Sequence, residues 1–196
     1  MIAQLRGVIL EKHPNQVIVE AGGVGYDVNI PISTYAALPD RGAAVRLHIH
    51  THVREDALLL YGFVTQDEKM LFERLITVSG VGPRLAVTVL SGLPVAELIA
   101  AIRGGAVEQL VRIPGIGKKT AERIVLELRE KLPAAAEAGA PGTRPALGAL
   151  EGDVLSALIN LGCSPAAAEA AVRKAKAQAP AEQFEPLFRR ALELVR

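Results

Sequence analysis

The sequence predicts an α+β chain of several pieces: a small β-barrel, an all-α region holding a duplicated turn, and a short helical tail. Three observations carry this. The hydrophobic period changes from strand-like to helical near Thr65. One eight-residue pattern is written twice, thirty-five residues apart. A run of Ala, Pro and Gly over residues 134–148 has no apolar face to bury and sets off the last part.

Bulk composition narrows the chemistry. Of 196 residues 50% are apolar but only 4% aromatic, and tryptophan is absent, so the cores must be built from Leu, Val, Ile and Ala. The net charge is +1. Basic against acidic residues run five to six in 1–63, ten to eight in 64–132 and seven to seven in 133–196. The small surplus falls in the segment with the repeat, so nucleic-acid binding must come from placed charges and amides rather than a generally basic surface. A single cysteine, Cys163, excludes an internal disulfide and argues against a thiolate zinc site. Met1-Ile2-Ala3-Gln4-Leu5-Arg6 lacks a signal-peptide pattern and no apolar run approaches a membrane span, so a soluble, cytoplasmic protein is expected.

Residues 2–10, 16–20, 25–30, 44–53 and 57–63 read as short strands rich in Val, Ile, Leu and Thr. Turns at His13-Pro14-Asn15, Gly22-Gly23 and Pro39-Asp40-Arg41-Gly42 separate them. Five strands in this length suit a closed barrel of the oligonucleotide/oligosaccharide-binding (OB) kind better than a three-plus-two sandwich. From Thr65, Met70, Leu71, Leu75 and Val78 keep one helical face, and Gly92-Leu93-Pro94 and Gly104-Gly105 divide 64–132 into about five helices. Residues 133–148 read as a flexible tether with a reach of roughly 20 Å as a coil. In 149–196 the stripe Val154, Leu155, Leu158, Leu161, an Ala-rich helix opened by Pro165, and the stripe Phe184, Leu187, Phe188, Ala191, Leu192, Val195 predict a three-helix bundle.

The duplicated segment carries the chemistry. Ser79-Gly80-Val81-Gly82-Pro83-Arg84-Leu85-Ala86 recurs as Pro114-Gly115-Ile116-Gly117-Lys118-Lys119-Thr120-Ala121, each flanked by apolar helix. Glycines allow a positive-φ turn and leave the backbone bare. The helix that follows then offers free N–H groups at the positive end of its dipole, a site for an anion. Arg84, Lys118 and Lys119 add charge beside it. An ordinary helix–helix connection explains one such turn but does not predict that its charge recurs. Two copies point to two neighbouring phosphates, hence a nucleic-acid backbone. The arrangement is similar to the helix-hairpin-helix motif, which contacts phosphates and cannot read bases.

Other constellations are weaker. Glu55-Asp56, after Arg54, reads as a solvated hairpin tip, as half of a metal site lacking further carboxylates, or as an acidic element that repels phosphates. His48, His50 and His52 share a strand face, but about 7 Å between neighbours is awkward for one zinc with ligands at ~2.0–2.1 Å, so an exposed face or subunit contact is expected. Gly22-Gly23-Val24-Gly25 is followed by strand and reads as a hairpin turn; Cys163 reads as a small buried apolar residue. Nucleophilic triads and a Walker loop are missing, and no metal or cofactor is expected.

Taken end to end, the chain resembles the RuvA family, the Holliday-junction-binding subunits of the bacterial branch-migration complex. The resemblance is carried by Leu5-Arg6-Gly7, Gly22-Gly23-Val24-Gly25-Tyr26, Val53-Arg54-Glu55-Asp56-Ala57 with Leu60-Tyr61-Gly62-Phe63, the first hairpin, and the run from Leu110 through Lys118-Lys119-Thr120-Ala121-Glu122-Arg123. It implies an OB barrel at 1–63, a tandem helix-hairpin-helix domain at 64–132, a linker at 133–148 and a UBA-like bundle at 149–196. It implies a homotetramer, or two stacked, holding a four-way junction open in recombination, repair and the SOS response. Ser79, Gly80, Gly82, Arg84, Gly115, Gly117, Lys118, Lys119 and Arg123 would grip DNA, and Glu55 and Asp56 would form an acidic pin at the crossover. The tail would bind the RuvB ATPase, with the RuvC resolvase a further partner. Two positions depart from the family: Cys163 where an aromatic is common, and Arg84 where lysine is common. The enzyme-class rival is a structure-specific nuclease or glycosylase that uses the hairpins for grip, and a generic single-strand binder would lack stacking aromatics.

Overall fold

The computed structural model describes residues 1–132, 149–178 and 183–195; the expected linker at 133–148 lies outside them. The chain forms two compact units, Met1–Gly139 and Ala140–Arg196.

In the first unit five strands close into a barrel: β1 (Gln4–His13), β2 (Gln16–Ala21), β3 (Val24–Asn29), β4 (Ala44–Val53) and β5 (Leu58–Phe63). Their order around the barrel is β1-β2-β3-β5-β4. Neighbours are antiparallel except β3 and β5, whose short parallel contact pairs Val28 with Leu60 and Asn29 with Tyr61. Alternation puts Val17 and Val19, and Val45, Leu47 and Ile49, into a core completed by Leu5, Ile9, Val28, Ile30 and Leu60. The expected barrel is therefore present, with β1 starting later and running further than its apolar residues alone suggest. Gly7 in β1 is needed for closure: a Cβ there would sit 2.0 Å from the Glu20 carbonyl oxygen of β2.

Residues 32–37, which the hydrophobic pattern does not assign, form the one-and-a-half-turn helix α1 (Ile32–Ala37), set off by Pro31. Its start is tied down by tertiary contacts rather than propensity. The Ser33 and Thr34 hydroxyls donate to the Glu68 carboxylate at 2.7 and 3.2 Å. Glu68 is only 7% exposed and also accepts from the Thr65 backbone N–H, closing a capping box at the start of α2 (Gln66–Leu75). A buried carboxylate holding this many donors is satisfied rather than stranded.

α2 fastens the helices to the barrel. Phe72 lies 5.1 Å from Tyr61 and 5.0 Å from Phe63 in β5, and 5.2 Å from His50 in β4, measured between ring centroids. His50 Nδ1 also meets Glu73 Oε1 at 3.2 Å. This corrects the expectation of an open histidine face: His50 is 80% covered because α2 packs on it. Helices α3 (Pro83–Gly92), α4 (Val95–Gly104), α5 (Val107–Val111) and α6 (Lys118–Leu128) complete the unit around Leu75, Leu90, Leu98, Ile102, Leu110 and Ile124.

The second unit contains α7 (Ala149–Asn160), α8 (Pro165–Gln178) and α9 (Phe184–Val195). Its core is Val154, Leu158, Ala168, Ala171, Val172, Ala175, Leu187 and Ala191, with Leu155, Cys163, Phe188 and Val195 half-buried against it. Three stripe residues depart from expectation. Leu161 is 61% exposed because α7 stops at Asn160 and the chain turns at Gly162 (φ +91°), which ends the helical period. Phe184 and Leu192 also face outward, and Phe184 stacks instead on Phe188 at 5.5 Å.

Candidate nucleic-acid interface

The duplicated segment folds twice into one geometry. Gly80 has φ +83° and Gly115 φ +84°, the left-handed conformation that an L side chain resists. Two residues on, Gly82 (φ −85°, ψ 172°) and Gly117 (φ −84°, ψ 163°) cap α3 and α6. The turns are closed by equivalent hydrogen bonds, Val81 N–H to the Val78 carbonyl at 3.0 Å and Ile116 N–H to the Ile113 carbonyl at 3.1 Å. Equivalent core residues anchor them: Leu75, Val78, Val81 and Ala86 in the first, Leu110, Ile113, Ile116 and Ala121 in the second.

What these helix starts lack defines their chemistry. The start of α2 is filled by Thr65 and Glu68, with Asp67 and Glu68 in its first turn. The starts of α3 and α6 have a glycine cap with no side-chain acceptor and no acidic residue in the first turn. Their leading N–H groups therefore point outward for an external anion. Ser79, Gly80, Gly82, Gly115 and Gly117 are all exposed, as are Arg84, Lys118 and Lys119, and none of these three cations forms an ion pair among the described residues.

The two turns are joined. Arg123 of α6 donates from Nη1 to the Ser79 carbonyl at 3.3 Å, and the same nitrogen would lie 3.4 Å from a Cβ on Gly80. In return, Leu85 of α3 sits beside Gly115, and Gly92 at the end of α3 packs so tightly on Ile113 that a Cβ would meet it at 2.8 Å. Arg123 thus braces one hairpin from the other while remaining exposed.

Glu55 and Asp56 sit at the exposed β4–β5 tip, which is closed by the Arg54 N–H to the Ala57 carbonyl at 2.8 Å. Neither carboxylate has an ion-pair partner among the described residues, nor do they join any group of three or more His, Cys, Asp or Glu placed to hold a metal there. Arg54, the nearest cation in sequence, donates instead from Nε to His52 Nε2 at 3.2 Å. Burial, then Arg54 and then His50, push the His52 imidazole below its usual range, which keeps Nε2 available as an acceptor. Among the described residues Arg54 thus forms no ion pair with either carboxylate of the tip.

Family comparison adds to the geometry. Residues 1–62 match the RuvA N terminal domain, and residues 72–130 match the SAM-like helix-hairpin-helix tandem. Over its full length the chain is 68% identical to the Holliday junction branch migration complex subunit RuvA of Solibacter usitatus and 55% identical to that of Acidobacterium capsulatum, covering 100% of each. The protein of that name in Syntrophotalea carbinolica is 52% identical over 99% of its length. The chain belongs to the RuvA family. Its acidic tip falls inside the RuvA N-terminal match, and both turns with Arg123 fall inside the helix-hairpin-helix match. The three-helix tail lies beyond both domains but within the span shared with whole RuvA relatives.

Proposed function

We propose that this chain is a non-catalytic subunit that binds four-way DNA junctions without regard to sequence, holds them open, and presents them to a separate ATP-driven motor. The observation that carries the reading is the pair of uncapped helix starts, superimposable in backbone angles and each flanked by exposed cations. An amide or guanidinium bonded to phosphate is a charge-assisted contact, stronger than a neutral one, and blind to base identity. Ser79, Gly80, Gly82, Arg84, Gly115, Gly117, Lys118 and Lys119 supply these contacts, with Arg123 holding the turns in register.

The tip supplies the opposite force. Glu55 and Asp56 are exposed, unpaired among the described residues and left uncompensated by Arg54. Arrayed around a crossover in a homotetramer, or in two stacked tetramers, they repel the converging phosphates and favour separated strands. Attraction on the arms and repulsion at the centre together select a junction over a linear duplex. The relatives carry the name of a branch migration complex subunit, which supports a partner in that process. On this reading the partner is a motor of the RuvB ATPase kind docking on α7–α9, with a RuvC-type resolvase sharing the junction in the bacterial cytoplasm.

The test is a competition gel shift with light scattering for mass. Strong preference for a synthetic four-way junction over duplex, from an assembly of four or eight chains, is the expected result, and equal affinity for the two would sink the reading. Magnesium-dependent nicking that Glu55→Gln/Asp56→Asn abolishes would establish the nuclease reading in its place. Deleting residues 149–196 should spare junction binding and end motor-driven migration.

A further inference from the structure

Between the barrel and the first hairpin lies a cavity of about 250 Å³, lined by Asn15, Asn29, Tyr61, Arg84 and Val87. It opens where the β3–β5 contact, only two residue pairs long, ends at Asn29 and Tyr61. Three facts about its walls do not follow from folding alone. Tyr61 is 4% exposed with its ring stacked on Phe72, and its hydroxyl, the accessible end of the side chain, has no hydrogen-bond partner among the described residues. A buried ring thus holds an accessible hydroxyl at the cavity, placed to donate to a group from outside the chain. Arg84 enters the lining from the second residue of α3 with no carboxylate to meet it. Asn29 spends its Nδ2 on the Leu60 carbonyl at 3.2 Å, while exposed Asn15 keeps its side chain unbonded among the described residues.

Resting on the junction-binding reading, we propose that this cavity is a second phosphate subsite. It would take the phosphodiester of the strand leaving the first hairpin toward the acidic tip, with Arg84 as counter-charge and the Tyr61 hydroxyl and Asn15 amide as donors. Its size suits a phosphodiester with its flanking sugar atoms and falls short of the ~300–1,000 Å³ of small-molecule sites. Its polarity suits an anion: every polar side chain in the lining can donate, and no carboxylate is present. Burial raises the Tyr61 phenol above its ordinary range, against the opposing pull of Arg54 and Arg84, so the hydroxyl is a donor at neutral pH. Arg84 is in the lining, while Arg54 is not and acts on the Tyr61 phenol through its charge alone. A base would need a stacking face, and the Tyr61 ring is already taken by Phe72.

The test uses Tyr61→Phe, which deletes the hydroxyl and keeps the buried ring, and Asn15→Ala in an exposed turn. Junction Kd is measured by anisotropy on an unmodified four-way junction and on junctions carrying a single neutral methylphosphonate walked along each arm. We expect Tyr61→Phe to weaken junction binding about tenfold, the loss of one hydrogen bond to a charged group. One methylphosphonate position should cost the wild type more than about tenfold, because it removes the charge facing Arg84 as well as weakening the hydroxyl's acceptor, and should cost Tyr61→Phe several-fold less, with Asn15→Ala falling between. Wild-type affinity in both variants, or a penalty equal in all three proteins at every position, overturns the subsite. So does a change in assembly mass with Tyr61→Phe, which would make the hydroxyl a subunit contact. If no protein prefers junction to duplex, the broader reading fails instead.

Discussion

The two hairpins share a backbone and differ in what surrounds it. Their turn glycines agree within a degree in φ, their caps are both glycine, and their anchors repeat residue for residue. The first helix residues then diverge. The first copy has Pro83, which has no N–H to offer, followed by Arg84, which lines a cavity shared with the barrel. The second has Lys118 and Lys119, both exposed. Duplication therefore fixes a pair of open helix starts, and the neighbours decide what else surrounds each copy. On the proposed reading, the second hairpin acts as a simple electrostatic clamp, while the first also forms one wall of a cavity.

The comparison is sharpest under salt. Lys118→Ala/Lys119→Ala should weaken junction binding by about 100-fold at moderate salt and lower the slope of log K against log salt by roughly two units. Arg84→Ala should cost about tenfold and lower the slope by roughly one. Titrations between low and physiological salt check both, and equal slope changes would show that the copies are electrostatically equivalent after all.

Backbone effects should be equal where charge effects are not. Gly80→Ala and Gly115→Ala each force an alanine into the left-handed region, at a cost on the order of 1–2 kcal/mol. Thermal unfolding of the two variants should show matching losses of a few degrees in Tm. A Gly80→Ala protein much less stable than Gly115→Ala would mean that the Arg123 contact, 3.4 Å from the added methyl, dominates over φ.

Arg123 tests how the copies are coupled. Arg123→Met keeps most of the aliphatic stem and removes the bond to Ser79. About threefold weaker binding is expected, with loss in the first hairpin's contacts as well as the second's. Methylphosphonate footprints that change on the second hairpin's phosphates alone would show that Arg123 touches DNA without bracing its partner turn.

The paired turns were legible in the sequence because they rest on local rules. Positive-φ glycine, an uncapped helix start and adjacent cations are all written within eight residues, and writing them twice removes the ambiguity of one copy. The barrel was legible for a similar reason, since alternation and turn residues are short-range signals. What escaped depended on residues far apart in the chain. Helix α1 has its hydroxyls on Glu68, thirty-four residues beyond Thr34, and no propensity argument reaches that far. His50 was read as open because α2, which covers it, is a different element. Tyr61 carries no local signal of a donor role, because the cavity at its hydroxyl is built with Asn15, Asn29, Arg84 and Val87 from other parts of the chain.

The smallest effect expected comes from the barrel side of the first hairpin. His52 is held below the ordinary histidine range by burial first, then by Arg54 and His50. A folded-state pKa below the unfolded value of about 6.5 means that the unfolded chain binds the proton first as pH falls. The stability linked to neutral His52 is thus fully present above pH 6.5 and declines below it. Protonation also removes the acceptor for Arg54, freeing that guanidinium to swing toward Glu55 and Asp56. His52→Gln keeps an acceptor that cannot titrate. Between pH 7.5 and 5.5 the wild type should lose slightly more Tm than this variant, and its junction preference over duplex should fall while that of His52→Gln holds. His52 meets His50, Arg54 and Tyr61 of the barrel rather than Lys118 or Lys119, so the salt slope lost with Lys118→Ala/Lys119→Ala should be the same at both pH values. If that slope also shifts with pH, the titration belongs to the whole DNA-binding face and the contrast between the copies does not extend to protons.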